Sequence, residues 1–160
     1  MRKYCFRLGL YWQGLTHDLS KYAPVEFFAG VKYFQGDRSP NDLQRRAYGY
    51  SASWLHHKGR NRHHFEYWTD YASDGSGIIG VPMPEKYLAE MFCDRLAASH
   101  VYRGSEYTDA DPYRFFEYGK GRNLLMAKET EEALEKMLSC LRDEGEDAAF
   151  AYIRREILHK

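Results

Sequence analysis

The chain has 160 residues, and its 23 lysines and arginines balance its 23 aspartates and glutamates. That length fits one domain with a real buried core, and the neutral balance argues against a general nucleic-acid binder, which carries net positive charge. No stretch is long and apolar enough to span a membrane, and Tyr4 to Leu15 carries Arg7 and Gln13 with no cleavage-like site, so no signal peptide is read. Cys5, Cys93 and Cys140 are odd in number and far apart. They form neither a disulfide framework nor a CxxC zinc motif, and read as reduced, mostly buried thiols of a cytoplasmic protein.

Tyr4, Leu8, Tyr11 and Leu15 recur at helical spacing, which predicts one helix over Lys3 to Leu15. It begins abruptly after Met1, as in a chain that starts mid-helix or lacks part of its N-terminal helix. Pro24 suits the first turn of a helix through Val25 to Phe34, ended by Gly36 and Asp37. Ser39-Pro40-Asn41-Asp42 reads as cap and first turn for a helix over Leu43 to Tyr48. Past Gly49, Ser51 caps a helix running to His57, and Gly59 and Asn61 favour a break. A further helix is expected from near His63 to about Tyr71. Ser73 to Pro84 forms the one long loop, rich in glycine and proline, with at most a brief strand around Ile78 to Val81. Pro84-Glu85 starts a long helix through Leu88, Met91, Phe92 and Leu96 that ends near His100. Thr108 to Pro112 caps a shorter helix over Tyr113 to Tyr118, ended by Gly119 and Gly121. Lys128 opens a helix with acids in its first turn, which suits the helix dipole, and Gly145 separates it from a last helix over Glu146 to Leu158. These elements predict an all-α single domain over 1–160, with short helices, no internal repeat and no low-complexity tract.

The chemistry concentrates in Trp54 to Trp68. Two histidine pairs, His56-His57 and His63-His64, flank a short basic turn of Lys58, Arg60 and Arg62. Buried imidazole must hydrogen-bond or charge, so four clustered histidines are costly unless something binds them. The bland alternative is a solvated basic turn. It weakens because His17-Asp18 precedes the tract and Asp94 follows it. Neighbours on a helix are about 100° apart, so one metal does not take both members of a pair in regular geometry. Either two metals share the pairs, or one histidine of each pair ligates and the other orients a ligand or substrate. Histidine with aspartate suits iron, manganese, zinc or cobalt, and the lack of cysteine ligands argues against a structural zinc site.

His17-Asp18-Leu19-Ser20-Lys21 resembles the His-Asp-x-x-Lys core of the HD superfamily, closely in the form seen in HD-GYP phosphodiesterases. Leu55-His56-His57-Lys58 is similar to their Tyr-His-His-Glu segment. Glu90 to Ser99 resembles the helix that carries their final aspartate, here Asp94. More narrowly, the chain from Gly14 to Tyr71, with Thr108 to Phe116 and the tail, resembles a small bacterial family of uncharacterised HD-like proteins. The resemblance implies an HD-type helical bundle and a metal site, with no established activity. It implies that Asp18 bridges two metals beside the attacking water, and that His17 and Asp94 complete one site. His56 and His57, with His63 or His64, would build the second. It gives Lys21 a phosphate oxygen. The superfamily pattern opens with a histidine upstream of the HD pair, and none precedes His17 here, so the first metal position is expected to be one ligand short and weakly held.

Lys58, Arg60 and Arg62 are candidates for an anion clamp, since guanidinium matches phosphate in a bidentate way. Trp54, Tyr67 and Trp68 could stack a base, but at helical spacing beside apolar residues they read as core. Glu66 reads as an acid beside the metals or as a surface charge. The expectation is a metal-dependent phosphohydrolase acting on a small phosphorylated ligand, a monoester or diester, nucleotides included. The alternatives are a di-iron oxygenase on the same fold and a non-enzymatic metal or nucleotide-binding module. Oligomeric state is not readable from the residues.

Overall fold

Gly9 splits the first predicted helix. In this computed structural model, which describes residues 1–36, 39–120 and 125–159, α1 covers Arg2–Arg7 and α2 covers Tyr11–Thr16. Gly9 takes φ +70°. Its N–H donates to the Phe6 carbonyl at 3.0 Å, and the Leu10 N–H donates to the Cys5 carbonyl at 2.9 Å. These are the two closing bonds of a Schellman turn. The apolar spacing runs on across the break, but Tyr11 and Leu15 end up exposed. Gly14 lets α2 lie close on α1, because a Cβ there would sit 2.9 Å from Phe6 Cε1.

A 3-10 turn over Leu19–Tyr22 leads into α3 (Pro24–Tyr33), α4 (Pro40–Tyr48) and α5 (Ala52–Lys58). The expected caps are present. Ser39 Oγ accepts the Asn41 N–H and Ser51 Oγ accepts the Trp54 N–H, which satisfies donors that a helix start leaves open. Asp37 and Gly121, expected as helix stops, lie outside the described residues. Gly119 does not end its helix but falls inside α7 (Asp111–Lys120).

The helix expected from His63 to Tyr71 does not form. Phe65–Tyr67 makes a single 3-10 turn, and Thr69–Tyr71 is a strand, β1. It pairs antiparallel with β2 (Ile78–Gly80), the brief strand allowed for in the loop, with Thr69 opposite Gly80. The turn between them closes through the Ala72 N–H on the Gly77 carbonyl at 2.8 Å, with Gly75 and Gly77 at positive φ. Long-range pairing with 78–80 gives β1 its backbone partners, and a nearest-neighbour pattern does not show that.

Helix α6 (Glu85–Arg103) is the axis of the core. Around its Leu88, Met91, Phe92 and Leu96 pack Tyr4, Cys5 and Leu8 of α1, Phe116 of α7, and Leu134, Met137, Leu138 and Leu141 of α8 (Lys128–Glu144). Phe150 and Ile153 close it from α9 (Glu146–Tyr152), which widens into a π turn over Ile153–Ile157. Arg7 ties α1 to this end by pairing with Glu146 and Asp147. The fold is all-α apart from the one small hairpin. Among the described residues, no helix is long and apolar enough to cross a membrane.

Helices α3, α4 and α5 form a separate layer with a different basis. From Tyr11 to His64, Ala29 is the only buried apolar side chain among the described residues. The other buried side chains there are polar: Glu26, Ser51, Ser53, His57, Asn61 and His63. This layer therefore meets the α6 core across a polar seam.

The hairpin is held by a close backbone crossing. A Cβ on Gly80 would lie 2.5 Å from Ala127 N and 2.8 Å from Met126 C, and backbone atoms cannot swing aside as a flexible side chain can. Gly80→Ala is expected to destabilise the fold by about 1–3 kcal/mol, the usual range for overpacking. A lowered midpoint of urea unfolding checks this; an unchanged midpoint would show that segment 125–127 does not press on the hairpin.

Candidate metal centre

Asp18 is one of two non-glycine residues at positive φ among the described residues, with φ 57° and ψ 22°. Aspartate tolerates this left-handed region better than most residues, though it still costs of order 1 kcal/mol. The kink lies between α2 and the 3-10 turn, and it turns His17 and Asp18 into the seam together. Helix α6 supplies Glu90 and Asp94, four residues apart and so on one face. Helix α5 supplies His56 and His57. The chain then turns back: Asn61 Nδ2 donates to the His57 carbonyl at 2.9 Å and to Ser20 Oγ at 2.7 Å. That return brings His63 and His64 to the same place.

Three imidazoles share one orientation. His17 places Nδ1 3.1 Å from Glu90 Oε1, and its Nε2 faces Asp94 Oδ1 at 3.1 Å and Asp18 Oδ2 at 3.3 Å. His57 places Nδ1 2.7 Å from Glu26 Oε2 and Nε2 3.3 Å from Asp18 Oδ1. His63 places Nδ1 3.3 Å from Glu90 Oε1 and Nε2 3.5 Å from Asp18 Oδ1. A carboxylate only accepts, so each Nδ1 donates to its glutamate, and each Nε2 faces the aspartates, where a bound ion would take the nitrogen lone pair in place of any proton there. This is the outer support that metal-ligating histidines ordinarily have.

The inward atoms form two overlapping groups. One holds Asp18, His57, His63 and His64; the other holds His17, Asp18, His63 and Asp94; in each, the donor atoms lie within 4.8 Å of one another. Buried Asp18 Oδ1, His63 Nε2 and His64 Nε2 have no hydrogen-bond partner. A buried polar atom without a partner costs about 1–3 kcal/mol, and three of them converging on one point is the arrangement that a cation relieves. These buried groups can hold a metal ion.

The electrostatics agree. Burial pushes the carboxyls of Asp18, Glu26, Glu90 and Asp94 up, but neighbouring histidines outweigh it and hold all four below their ordinary values, Asp94 at about 2. Burial pulls His17 down, yet the hydrogen bonds its ring donates to Asp18, Asp94 and Glu90 push it up to about 11. Burial, helped by the neighbouring His63 and His57, drives His64 down to about 2, so its ring stays neutral and keeps a lone pair. Four ionised carboxylates in one buried cluster call for cations.

Of the residues expected at the site, His17, Asp18, His57, His63, His64 and Asp94 converge. His56 does not join either group; its Nδ1 lies 2.6 Å from Glu26 Oε1, so it supports the carboxylate that orients His57. His63 stands in the group of His17 and Asp94 as a fourth donor, but it stands in the other group as well, and its one inward nitrogen serves a single ion. Loop 59–64 delivers it across space, where the superfamily pattern looks upstream. Glu26 and Glu90 were missed, along with Ser20 and Asn61. Both glutamates had a visible signal: each is a lone acid inside an apolar helical run, and Glu90 stands one turn before Asp94.

A cavity of about 610 Å³ opens on the cluster, with Asp18, Lys21, His57, His64 and Asp94 in its wall. Lys21 Nζ lies 2.6 Å from Asp18 Oδ2. Lys58, Arg60 and Arg62 do not line this cavity. Arg60 reaches the His56 carbonyl, and Arg62 donates to Tyr87 Oη at 3.2 Å over the rings of Tyr67 and Tyr87. Trp54, read as core, lines the cavity and stacks on His57. Glu66 is a half-buried acid whose carboxyl pKa is pushed up by desolvation.

Two expectations follow from this geometry. In the metal-free chain His17 keeps its proton up to about pH 11, and an ion taking its Nε2 must displace that proton, so metal affinity should rise with pH from neutral toward 11. Calorimetric titration with Mn²⁺ in buffers of different ionisation enthalpy should show proton release; its absence would remove His17 from the ligand set. The α3–α5 layer rests on this cluster rather than on the apolar core, so chelation should speed amide exchange across 20–64 while α6 and α8 stay protected. Equal protection with and without metal would show that the polar seam stands alone.

No curated protein and no solved structure matches the chain. A family profile does match, over residues 1–140. The chain belongs to DUF5662, a family of unknown function.

Proposed function

We propose that this chain is a metal-dependent phosphohydrolase holding two divalent cations, with iron, manganese, zinc and cobalt as candidates. The observation that carries it is the pair of overlapping donor groups that share Asp18, whose two oxygens can serve two ions, with His63 within reach of either ion and Lys21 beside Asp18 in the wall of one cavity. The likeness of His17-Asp18-Leu19-Ser20-Lys21 and Asp94 to the HD superfamily supports it. When bound, two such cations lower the pKa of water and neutralise phosphoryl oxygens.

The chain's own groups have separate tasks. Asp18 faces both donor groups, so it is placed to bridge. Glu26 and Glu90 fix the rings of His57, His17 and His63. Lys21 stays charged, because the Asp18 carboxylate outweighs the opposing effect of burial, and it is placed to meet a phosphoryl oxygen. It is the only lysine or arginine in the cavity wall among the described residues, so the anion-binding role assigned to Lys58, Arg60 and Arg62 falls to it. In the reaction, water oxygen forms one bond to phosphorus, the ester oxygen loses one, and the departing alcohol gains a proton that the water gave up. A small phosphorylated molecule in the cytoplasm is the proposed substrate.

A second reading, a di-iron oxygenase, draws on the four imidazoles in the two groups, a donor set that iron also accepts. Elemental analysis of protein purified without chelator separates the two. A mixed-valence iron pair supports the oxygenase, and phosphate release with manganese or cobalt supports the hydrolase.

Asp18→Ala is expected to lower metal content and abolish phosphate release. Lys21→Ala should leave metal content unchanged and raise KM about 10- to 100-fold, the equivalent of one hydrogen bond to a charged group. Equal metal loss in both variants would count against these roles.

A further inference from the structure

One part of the wall of the cavity that opens on the cluster is apolar and uncovered. Phe27, Gly30, Val31 and Phe34 line it from α3 and its end, at the i, i+3, i+4 and i+7 positions of one helix face. Phe27 is 52% exposed, Val31 71% and Phe34 63%. These large apolar side chains line the same cavity as Asp18, His57, His64 and Asp94, and nothing among the described residues covers them.

Gly30 sharpens the point. A glycine inside a helix costs about 1 kcal/mol relative to alanine. Here no positive φ requires it, and a Cβ would meet nothing within 4 Å. Neither backbone nor packing explains the glycine. It does keep open space in the wall between Phe27 and Phe34, where any side chain would enter the cavity.

Charge limits the other end of the ligand. Lys21 is the one lysine or arginine in the wall among the described residues, so beyond the cluster itself the wall offers a single fixed positive charge, enough for one phosphate group. Ser53 is already bonded to Asn41 Oδ1 at 2.6 Å and Gln44 Oε1 at 2.8 Å, so this polar part of the lining is committed within the protein. The volume, about 610 Å³, falls in the ~300–1,000 Å³ range of small-molecule sites.

From this juxtaposition we infer that the cavity takes the monophosphate ester of an apolar alcohol, its phosphate at the metal cluster and Lys21 and its apolar body on the α3 wall over Gly30. The head-group assignment rests on the phosphohydrolase reading; the apolar body rests on α3 alone. Hydrolysis would then transfer the phosphoryl group to water and release the apolar alcohol, with no change of oxidation state.

The test is calorimetric binding of phosphonates, which the enzyme cannot hydrolyse at the ester position, to the manganese-loaded full chain. Phenylphosphonate should bind roughly tenfold or more tighter than methylphosphonate, as expected for burying the equivalent of two or more methylenes. 2-Hydroxyethylphosphonate should gain nothing over methylphosphonate. Gly30→Leu, which fills the open space, should keep metal content and methylphosphonate affinity but lose the phenyl preference. Val31→Ser, at an exposed position, should weaken the same preference and covers the case in which Gly30→Leu misfolds. Equal affinity for phenyl- and methylphosphonate, a gain from the hydroxyethyl group that matches the phenyl gain, or a phenyl preference untouched by both variants would overturn the inference while leaving the phosphohydrolase reading intact. Failure of every phosphonate and of inorganic phosphate to bind would overturn the phosphohydrolase reading and this inference with it.

Discussion

The carboxylate of Asp18 sits among Lys21, His17, His57 and His63, and one of its oxygens has no hydrogen-bond partner. Everything that surrounds it serves that position. A left-handed backbone residue turns it inward, two buried glutamates orient the rings around it, and the loop through Asn61 returns two more histidines to it. Such a cluster is costly as a set of bare charges, because desolvation acts on each one. A shared cation converts the same set into a satisfied site, which is why metal occupancy and local structure are expected to be coupled here.

That coupling has a structural basis in the division of the molecule. The α6 core holds α1, α7, α8 and α9 by apolar burial, which needs no ligand. The α3–α5 layer has almost no buried apolar side chains and meets the core through Glu26, His57, Asn61 and His63. The side facing the histidine–carboxylate cluster is thus polar, and Phe27 and Val31 of α3 are left for the cavity. One helix and its end serve the cavity twice: Glu26 orients His57, while Phe27, Val31 and Phe34 supply apolar lining.

The two glutamates also explain why histidine pairs occur in this chain. His56 and His57 share Glu26, one ring on each carboxylate oxygen. Only His57 goes on to reach Asp18. In the second pair both rings face the cluster, since His63 and His64 lie on an irregular return segment rather than on a helix, and neighbours there are not held about 100° apart as they are on a helix.

The sequence by itself determined the helical class, the caps at Ser39 and Ser51, the stops at Gly49 and Gly145, and the residue types of the site, because these depend on local spacing and on the chemistry of single side chains. His17, Asp18, His57, His63, His64 and Asp94 could be named before any fold was known. It could not show that Gly9 breaks the first helix, since the apolar period continues through the break, nor that Thr69–Tyr71 is a strand, since its partners in 78–80 lie across a turn outside the segment itself. Only the tertiary structure decided which histidines face the cluster and which one supports from outside, and that His63 stands in both donor groups. It also decided that Glu26 and Glu90 orient the rings and that Arg62 turns to Tyr87 instead of a phosphate. Those outcomes depend on where separate segments meet in space, and a ligand set is a property of that meeting point rather than of any one segment.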